Sequence, residues 1–483
     1  MYILLSTLPN DSRNILDQTN STTGNPNPAT SQPQHPKQNS TNQHEQLPFQ
    51  WTKCIEQLTS WFTDFDFNTL GVETGFTSRT PRKVTGLLFL QSSILLVCQK
   101  SLSLRRWAVL LGLLSHGTLA KQSLWGRINE GAVNFIQRVL AMALITKSTQ
   151  DNHAPEVLKH FKRVLVQDST NIKLSKKLAS TFPGSSNLHG NTGGMLKIQA
   201  IQDLVSLRFL YFALSGFTRN DQAAAYDILK AMKKGDLILR DLGYMVLDSL
   251  EKIAQSGAYY LSRLPSRVLT WDPSTKQKYD LLKQLQLQGN LDREMLIGEA
   301  KIRVRLVAIK LPPEVAAERR RKAKANRDKR LNPDTRSLAL LDWAIFVTNV
   351  PNDICDAQEV MKIYRLRWRI ETIFKAWKSH FRLCDIPMGS AEQVRVIICA
   401  RLLFITVLAN LSGCHWFASR KEHENQVSSM LKVAATLGDF FLPLCFEVWE
   451  IRIMDALSMQ LEYHCNYDKR SRLNYVQNLL DLT

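Results

Sequence analysis

The chain lacks the features that would place a protein in an oxidising compartment or in a membrane. Its eight Cys residues are scattered and never form a CxxC pair, so neither a cysteine zinc site nor a disulfide framework is predicted. The apolar run from Gly86 to Val97 is too short to span a bilayer, and Val396 to Leu411 is interrupted by Arg401 and Asn410. The apolar start, YILL, is too short for a secretory signal. These absences predict a reduced cytoplasmic protein with no membrane segment.

Acidic residues are scarce relative to basic ones. The 483 residues include 62 Lys and Arg against 43 Asp and Glu, which gives a formal net charge of +19 and an isoelectric point of about 9.6. Such an excess predicts a polyanionic partner, nucleic acid before an anionic membrane surface. The length allows roughly two to four domains, and an apolar content of 44% is ordinary for a globular protein.

Apolar residues are also nearly missing from positions 11 to 49, which consist mainly of Asn, Thr, Ser, Gln and Pro. Because such a stretch has little apolar surface to bury, residues 1–50 are predicted to be a disordered tail.

Residues 51–150 are predicted to be helical. Three apolar-rich runs cover Val84 to Gln99, Leu104 to Leu114 and Leu119 to Leu140, and the tetrapeptide SHGT between the last two is typical of a helix-turn-helix. Many all-helical domains contain such a turn, so the turn alone is a weak signal. Positive charge surrounds it, from Arg79, Arg82, Lys83, Arg105, Arg106, Lys121 and Arg127.

The stretch from Tyr364 to Leu383, YRLRWRIETIFKAWKSHFRL, contains no Gly or Pro and is predicted to be one helix. At about 100° per residue, apolar and charged side chains separate into two adjacent arcs. The charged arc holds one carboxylate among cations and a phenol: Tyr364, Arg367, Glu371, Lys375, Lys378 and Arg382. Such a basic row would suit the binding of phosphate. The alternative is a solvent-exposed helix face on which Glu371 forms ion pairs with Arg367 and Lys375, four residues before and after it.

The spacing of Tyr364, Arg367, Glu371 and Lys378 resembles the YREK signature of the insertion-sequence-four family of DDE transposases from bacterial insertion sequences. The resemblance implies that Glu371 is the third catalytic carboxylate of a ribonuclease-H-like fold. It therefore requires two Asp residues upstream, on strands.

Asp168 is the candidate for the first of these. It follows a short β-branched run, Val164 to Val166, and precedes a second alternating run to Leu174; a third, longer strand is predicted from Leu196 to Phe212. An Asp at such a position is often a turn residue bonded to its own backbone. The tripeptide DST after a hydrophobic strand nevertheless resembles the family's first catalytic Asp.

Asp241 is the candidate for the second. A helix is predicted for Asp221 to Lys233, and LILR, residues 237–240, then forms a short buried strand with Asp241 at its carboxyl end, where α/β sheets bind ligands. A helix N-cap would occupy the same place, and the sequence alone does not separate the two. LILRDLGY resembles the family's second Asp; Asp236 and Asp248 are the nearest rivals.

Residues 265–340 are interpreted as an insertion, because the family carries a largely β insertion that touches DNA at this point of the chain. A strand at Gly257 to Leu264 precedes it, and alternation from Ile302 to Ala308 predicts a strand within it. A basic helical run follows, with candidate DNA contacts at Arg319, Arg320, Arg321 and Lys322. An ordinary solvated helix is the alternative.

A strand at Leu341 to Val350 leads to the charged helix. Its Trp343 is a candidate for stacking on a base flipped out of the duplex, as an aromatic does in the family, and a half-buried strand Trp is the alternative. From Ala391 onward the chain is apolar-rich and predicted to be helical, with possible roles in packing and dimer contact.

The resemblance thus implies an α/β fold, with a ribonuclease-H-like core at 151–264 and 341–390, a helical domain at 51–150 that binds the transposon end, and a helical region at 391–483. Asp168, Asp241 and Glu371 would bind two Mg²⁺ ions, for which Mn²⁺ would substitute, and Tyr364, Arg367 and Lys378 would hold phosphate. The implied reaction is strand cleavage, a hairpin intermediate and strand transfer by a homodimer bound to transposon-end repeats and target DNA, associated with the nucleoid. A nuclease without strand transfer and a catalytically silent DNA-binding relative are the alternatives, and the presence of all three acids argues against the second.

Overall fold

The computed structural model describes residues 3–4, 65–78, 84–99, 102–115, 119–145, 155–186, 192–325, 333–387, 389–422 and 429–446. The predicted tail therefore lies outside the described residues except at positions 3–4. The predicted SHGT turn is described only at Ser115, and Arg79, Arg82 and Lys83 also lie outside the described residues.

The described strands form one mixed sheet. In chain order they are β1 Ile3–Leu4, β2 Val164–Leu174, β3 Pro183–Ser186, β4 Thr192–Asp203, β5 Phe209–Gly216, β6 Leu237–Arg240, β7 Tyr259–Arg263, β8 Thr270–Trp271, β9 Leu291–Ile297, β10 Ile302–Lys310 and β11 Trp343–Thr348. Their order across the sheet is β1-β5-β4-β2-β6-β7-β11-β10-β9-β8, with β3 paired to β4. Only β2, β6 and β7 run parallel to one another; the other pairs are antiparallel.

The described α-helices flank this sheet. They are α1 Phe67–Glu73, α2 Gly86–Val97, α3 Leu104–Leu114, α4 Lys121–Trp125, α5 Glu130–Ile145, α6 Asp221–Ala224, α7 Leu247–Gln255, α8 Leu281–Gln288, α9 Pro313–Lys324, α10 Thr335–Leu340, α11 Ala357–Arg365, α12 Arg369–Ser379, α13 Ala391–Glu422 and α14 Met430–Phe446. Shorter 3-10 turns lie at Glu156–Leu158, Lys176–Leu178, Ala225–Lys230, Leu242–Tyr244 and Leu366–Trp368.

The parallel centre of the sheet explains the apolar sequence of β6. All four of its residues are buried, as expected for a central strand covered on both faces. Successive side chains of a strand point to opposite faces, so β2 sends Val164 and Val166 to one core and Leu165 to the other. The first face is covered by α1 to α5 and by α11 to α14, and the second by α7, α8 and α10.

Two predicted strands differ from the structure. The run that begins at Val164 does not break at residues 167–170 but continues as β2, because β4 pairs with it from Leu165 to Leu174. The single strand predicted from Leu196 to Phe212 is instead the hairpin β4–β5. Its turn is stabilised by the Asp203 carboxylate, which accepts the Val205 N–H and the Ser206 hydroxyl.

The segment 265–340 is not mainly β as expected, since α8, α9 and α10 account for much of it. Its strands also do not form a separate sheet. Strand β10 pairs with β11 on one side and with β9 on the other, so the segment extends the central sheet at one edge.

The helices on either side of the sheet sequence share one core. Helix α13 packs against α2 and α5, which lie far before it in the sequence. Arg395 of α13 forms a two-pronged ion pair with Glu130 of α5, with N–O distances of 2.8 and 2.6 Å. Within the described part of the chain, no helix is long and apolar enough to cross a membrane.

Candidate active site

Asp168 lies where the parallel pairing of β2 ends. Its neighbour Gln167 is the last residue of β2 to pair with β6, opposite Arg240. Strand alternation directs the Asp168 side chain to the first face, on which α12 packs. One carboxylate oxygen accepts the Ser169 backbone N–H at 2.7 Å. Burial raises the pKa of Asp168 to about 7, against the lowering effects of that hydrogen bond and of Arg367.

Asp241 follows β6 directly, at the carboxyl end of the neighbouring parallel strand. It stands at the N-terminus of the 3-10 turn Leu242–Tyr244, yet its side chain makes no capping hydrogen bond. The two rivals lie elsewhere. Asp236 is buried in an ion pair with Arg163, and the exposed Asp248 pairs with Lys252. Of the three, Asp241 is the one that approaches Arg367 and, through it, Asp168.

The helix predicted from Tyr364 to Leu383 is interrupted. Helix α11 begins earlier than predicted, at a capping box in which Asp356 accepts the Glu359 N–H and Glu359 accepts the Asp356 N–H. The 3-10 turn Leu366–Trp368 separates it from α12, which ends at Ser379. The apolar arc predicted for this helix is confirmed at Leu366, Ile370 and Trp377, which are buried in the core on the first face of the sheet.

Arg367 lies among all three candidate carboxylates. Its guanidinium nitrogens are 2.7 Å from Glu371 Oε1, 3.7 Å from Asp168 Oδ2 and 3.9 Å from Asp241 Oδ1. The residue is buried. Burial alone would lower its pKa, but Asp241, Tyr364 and Glu371 raise the Arg367 pKa above its usual value. The cation offsets the repulsion among the three acids.

Tyr364 ties the charged helix to the strand that carries Asp241. Its hydroxyl donates to the backbone carbonyl of Arg240 at 3.1 Å, and burial raises the pKa of Tyr364 to about 12. Lys378, the last residue of the signature, is exposed in the final turn of α12 and forms no ion pair with any described residue. Tyr364, Arg367 and Glu371 thus converge, whereas Lys378 faces solvent.

Trp343 lies apart from these groups. It is 5% exposed in the core on the second face, and its indole N–H donates to the Gly289 carbonyl, so it presents no free ring face to a base. An exposed aromatic is found instead at Trp368, which adjoins Arg367 in the 3-10 turn and is 60% exposed. Helical spacing alone did not distinguish Trp368 from its buried neighbours.

The basic run of α9 is divided in two. Arg319 donates to the backbone carbonyls of Leu341 and Trp343, and Arg320 pairs with Asp342, so these two cations hold α9 to the start of β11. Arg321 and Lys322 pair with Glu318 but remain largely exposed. Two of the four predicted DNA contacts are therefore engaged within the protein.

A buried arginine that sequence reasoning missed stands beside Asp241. Arg240 is fully buried on the second face and donates to the Ser249 hydroxyl, the Gln167 side chain and the Ala225 carbonyl. Burial lowers the pKa of Arg240 to about 10. Nothing in the sequence distinguishes Arg240 from other residues at strand ends. Its burial follows from the burial of β6 on both faces, which only the structure shows.

Comparison with known proteins decides the family. Residues 159–407 match the family described as "Transposase DDE domain", which covers β2 to the middle of α13 and includes Asp168, Asp241 and Glu371. The chain belongs to the DDE transposase family. This membership implies a ribonuclease-H-like fold for the mixed α/β core, in agreement with the sheet described above.

Transposases of bacterial insertion sequences are similar to the chain over longer stretches. The transposase for insertion sequence element IS231B of Bacillus thuringiensis subsp. berliner is 30% identical over 317 residues, 61% of this chain and 66% of the relative. Those for IS231F of Bacillus thuringiensis subsp. israelensis and IS1151 of Clostridium perfringens are each 27% identical, over 75% of this chain and 79% and 81% of their own lengths. The chain thus spans just under two-thirds of the first of these relatives.

The donor chemistry of the three candidate acids fits a magnesium ion. The three side chains offer only carboxylate oxygens, the ligands that Mg²⁺ prefers, and DDE transposases generally use divalent metal ions. Among the described residues, no three acidic, His or Cys side chains are close enough together to hold a metal as they stand. The Arg367 guanidinium lies between them.

Proposed function

We propose that this protein is a DNA transposase that excises an insertion sequence and joins it to target DNA by phosphoryl transfer. The observation that carries the proposal is the convergence of Asp168, Asp241 and Glu371 on one guanidinium, from two parallel strand ends and a helix. An ion pair that served only to stabilise the fold would need one carboxylate for Arg367. Three carboxylates around one buried cation leave negative charge in excess, which suits divalent cations.

Asp168, Asp241 and Glu371 would hold two Mg²⁺ ions, or Mn²⁺ in their place. Bound there, the ions would supply an activated attacking oxygen and stabilise the leaving oxygen. Arg367 would give up its contacts with the acids when the ions enter and would then be free to hold a phosphate by a two-pronged contact. Tyr364 would keep the Asp241 strand end in place through the Arg240 carbonyl.

The proposed reaction begins with hydrolysis of one strand at the element's end. The freed 3′ hydroxyl then attacks the opposite strand to form a hairpin. After the hairpin is reopened, the 3′ hydroxyl attacks target DNA and joins the element to it. The substrates are the terminal repeats and the target duplex, the acting species is a homodimer, and the reaction takes place in the cytoplasm at the nucleoid. Basic surfaces support a DNA substrate: exposed cations near the site at Lys375 and Lys378, and on α3 and α4 at Arg105, Arg106 and Lys121.

Single replacement of each acid tests the proposal. Asp168→Ala, Asp241→Ala and Glu371→Ala should each lower strand nicking of an end-containing duplex by about 10³-fold or more, since each removes a ligand required for chemistry. DNA binding in a gel-shift assay should change little, because affinity depends on basic surfaces outside the site. Asp248→Ala is the matched control, because this neighbouring exposed acid pairs only at the surface.

Normal nicking by Asp241→Ala would remove that residue from the site. A second assay distinguishes a transposase from a nuclease of similar fold: a pre-cleaved end with a 3′ hydroxyl is incubated with a plasmid target. Joined products support strand transfer, whereas cleavage of duplex DNA without joining would identify a nuclease.

A further inference from the structure

The face of the sheet opposite the three carboxylates carries a second polar cluster, centred on Asp221. One carboxylate oxygen of Asp221 accepts the Ser169 hydroxyl at 2.9 Å, the Gln199 amide at 3.1 Å and the Lys197 ammonium at 3.2 Å. Lys197 and Gln199 are buried on β4. Burying a polar group costs free energy unless the group is hydrogen-bonded. The convergence of three donors on one carboxylate oxygen therefore indicates a well-defined hydrogen-bond network.

Ser169 connects this cluster to the candidate active site through the sheet. Its hydroxyl points to the second face and is bonded to Asp221, while its backbone N–H donates to the Asp168 carboxylate at 2.7 Å. Strand register places Ser169 directly opposite Gln199, which shares the same acceptor. Displacement of the Ser169 side chain would therefore also move the backbone group that orients Asp168.

The same cluster reaches the segment that follows Asp241. Tyr244 is fully buried, and its hydroxyl donates to the Gln199 side chain at 2.6 Å. A β-carbon placed on Gly243 would stand 3.5 Å from the Asp221 side chain, so the backbone of this turn lies against the carboxylate. Asp221 thus bonds to the residue that follows Asp168 and lies beside the turn that follows Asp241.

We propose that Asp221 is a positioning residue that holds the strand ends bearing Asp168 and Asp241 at the spacing the divalent cations require. The inference rests on the proposed function of those two carboxylates. Polar groups that orient metal ligands typically affect metal affinity by about 10- to 100-fold when removed. Asp221 acts from behind the sheet and touches neither the cations nor DNA.

The test measures binding of Mn²⁺ alone to the full chain, by electron paramagnetic resonance of free Mn²⁺, together with the melting temperature in chelator. Asp221→Ala should weaken Mn²⁺ binding by about tenfold. Asp221→Asn keeps an oxygen acceptor for Ser169 and Gln199 and should recover most of the lost affinity. Ser169→Ala, which removes the connecting hydroxyl, should weaken binding in the same direction and keeps the inference testable if Asp221→Ala does not fold.

Asp227→Asn is the control for a merely structural effect. Asp227 is buried in the following turn and pairs with Arg219 and Lys230, away from the cluster, so its replacement should lower the melting temperature but not Mn²⁺ affinity. Unchanged Mn²⁺ affinity in Asp221→Ala or in Ser169→Ala, or an equal loss in Asp227→Asn, would overturn the positioning role. Asp168→Ala tests the proposed function separately: if it binds Mn²⁺ like the unmodified chain, the proposed metal site itself is wrong.

Discussion

At the scale of single residues, the site places one buried cation among three carboxylates. Burial keeps the pKa of Asp168 near 7, and the guanidinium of Arg367 is shared among the three acids. Because three carboxylates share this one cation, the loss of Arg367, rather than the loss of a single acid, would leave buried charge uncompensated. The same contacts that stabilise the free protein would be exchanged when divalent cations bind.

The raised pKa of Asp168 predicts a pH dependence of stability. Below about pH 4 its carboxyl is protonated in both the folded and the unfolded chain and contributes no difference. Between pH 4 and pH 7 the unfolded chain ionises while the folded chain keeps the proton, because the folded pKa is about 7, so this group increasingly favours unfolding. Above pH 7 the penalty is complete.

Asp168→Asn should therefore gain stability relative to the unmodified protein as pH rises from 4 to 7 in chelator, by roughly 2–4 kcal/mol in total. Urea unfolding at several pH values measures this difference. Asp248→Asn is the control, since this exposed acid has a lowered pKa and should show no such gain. A difference between Asp168→Asn and the unmodified protein that stays constant across the range would contradict the raised pKa.

At the scale of elements, the basic run of α9 is divided between two environments. Arg319 and Arg320 turn toward the protein and attach the helix to the start of β11, whereas Arg321 and Lys322 are 69% and 72% exposed. Helical geometry allows this division, because neighbouring residues point about 100° apart.

The two pairs should therefore differ in their effect on DNA binding. Arg321→Ala with Lys322→Ala should make the slope of log affinity against log salt shallower by about two, if both cations contact phosphate. Arg319→Ala with Arg320→Ala should leave that slope nearly unchanged and lower the melting temperature instead. Fluorescence anisotropy at four salt concentrations measures the slopes. A slope for Arg321→Ala with Lys322→Ala equal to that of the unmodified protein would show that these two cations do not contact DNA.

At the scale of the whole molecule, the helices that precede the sheet and those that follow it form a single layer. Phe135 of α5 is fully buried in the core that also contains residues of β2, α12 and α13. The helical regions predicted at either end of the sequence are therefore expected to unfold together with the central sheet. A binding surface on α3 or α4 would be held rigidly relative to the three acids.

Phe135→Ala should destabilise the whole protein by about 3–5 kcal/mol, because it leaves a large cavity in this shared core. Unfolding followed by far-ultraviolet circular dichroism and by nicking activity should show one shifted transition for both signals. Val109→Ala, at an exposed position of α3, should change stability by less than about 0.5 kcal/mol. Loss of helical signal before loss of nicking would show that the helices form an independent domain.

The sequence by itself determined the elements whose signal is local. The buried strand at β6, the alternating strand at β10, the strand at β11 and the helix α3 all lie within a few residues of their predicted bounds. It also supplied the three candidate acids, because fixed spacings around Tyr364, Arg367 and Glu371 carried the resemblance to DDE transposases, the broader family that the match over residues 159–407 then confirmed.

Only the tertiary structure decided which side chains meet. Cross-strand pairing with β4 made β2 continuous, and a 3-10 turn broke the predicted helix and aimed Arg367 at the acids. The burial of Trp343 and of Arg240 likewise depends on partners more than 50 residues away in sequence. Local propensity is a sum over neighbours along the chain, whereas burial, hydrogen-bond partners and pKa values depend on neighbours in space. For that reason the acids could be predicted from the sequence, but the cation between them and the cluster behind them could not.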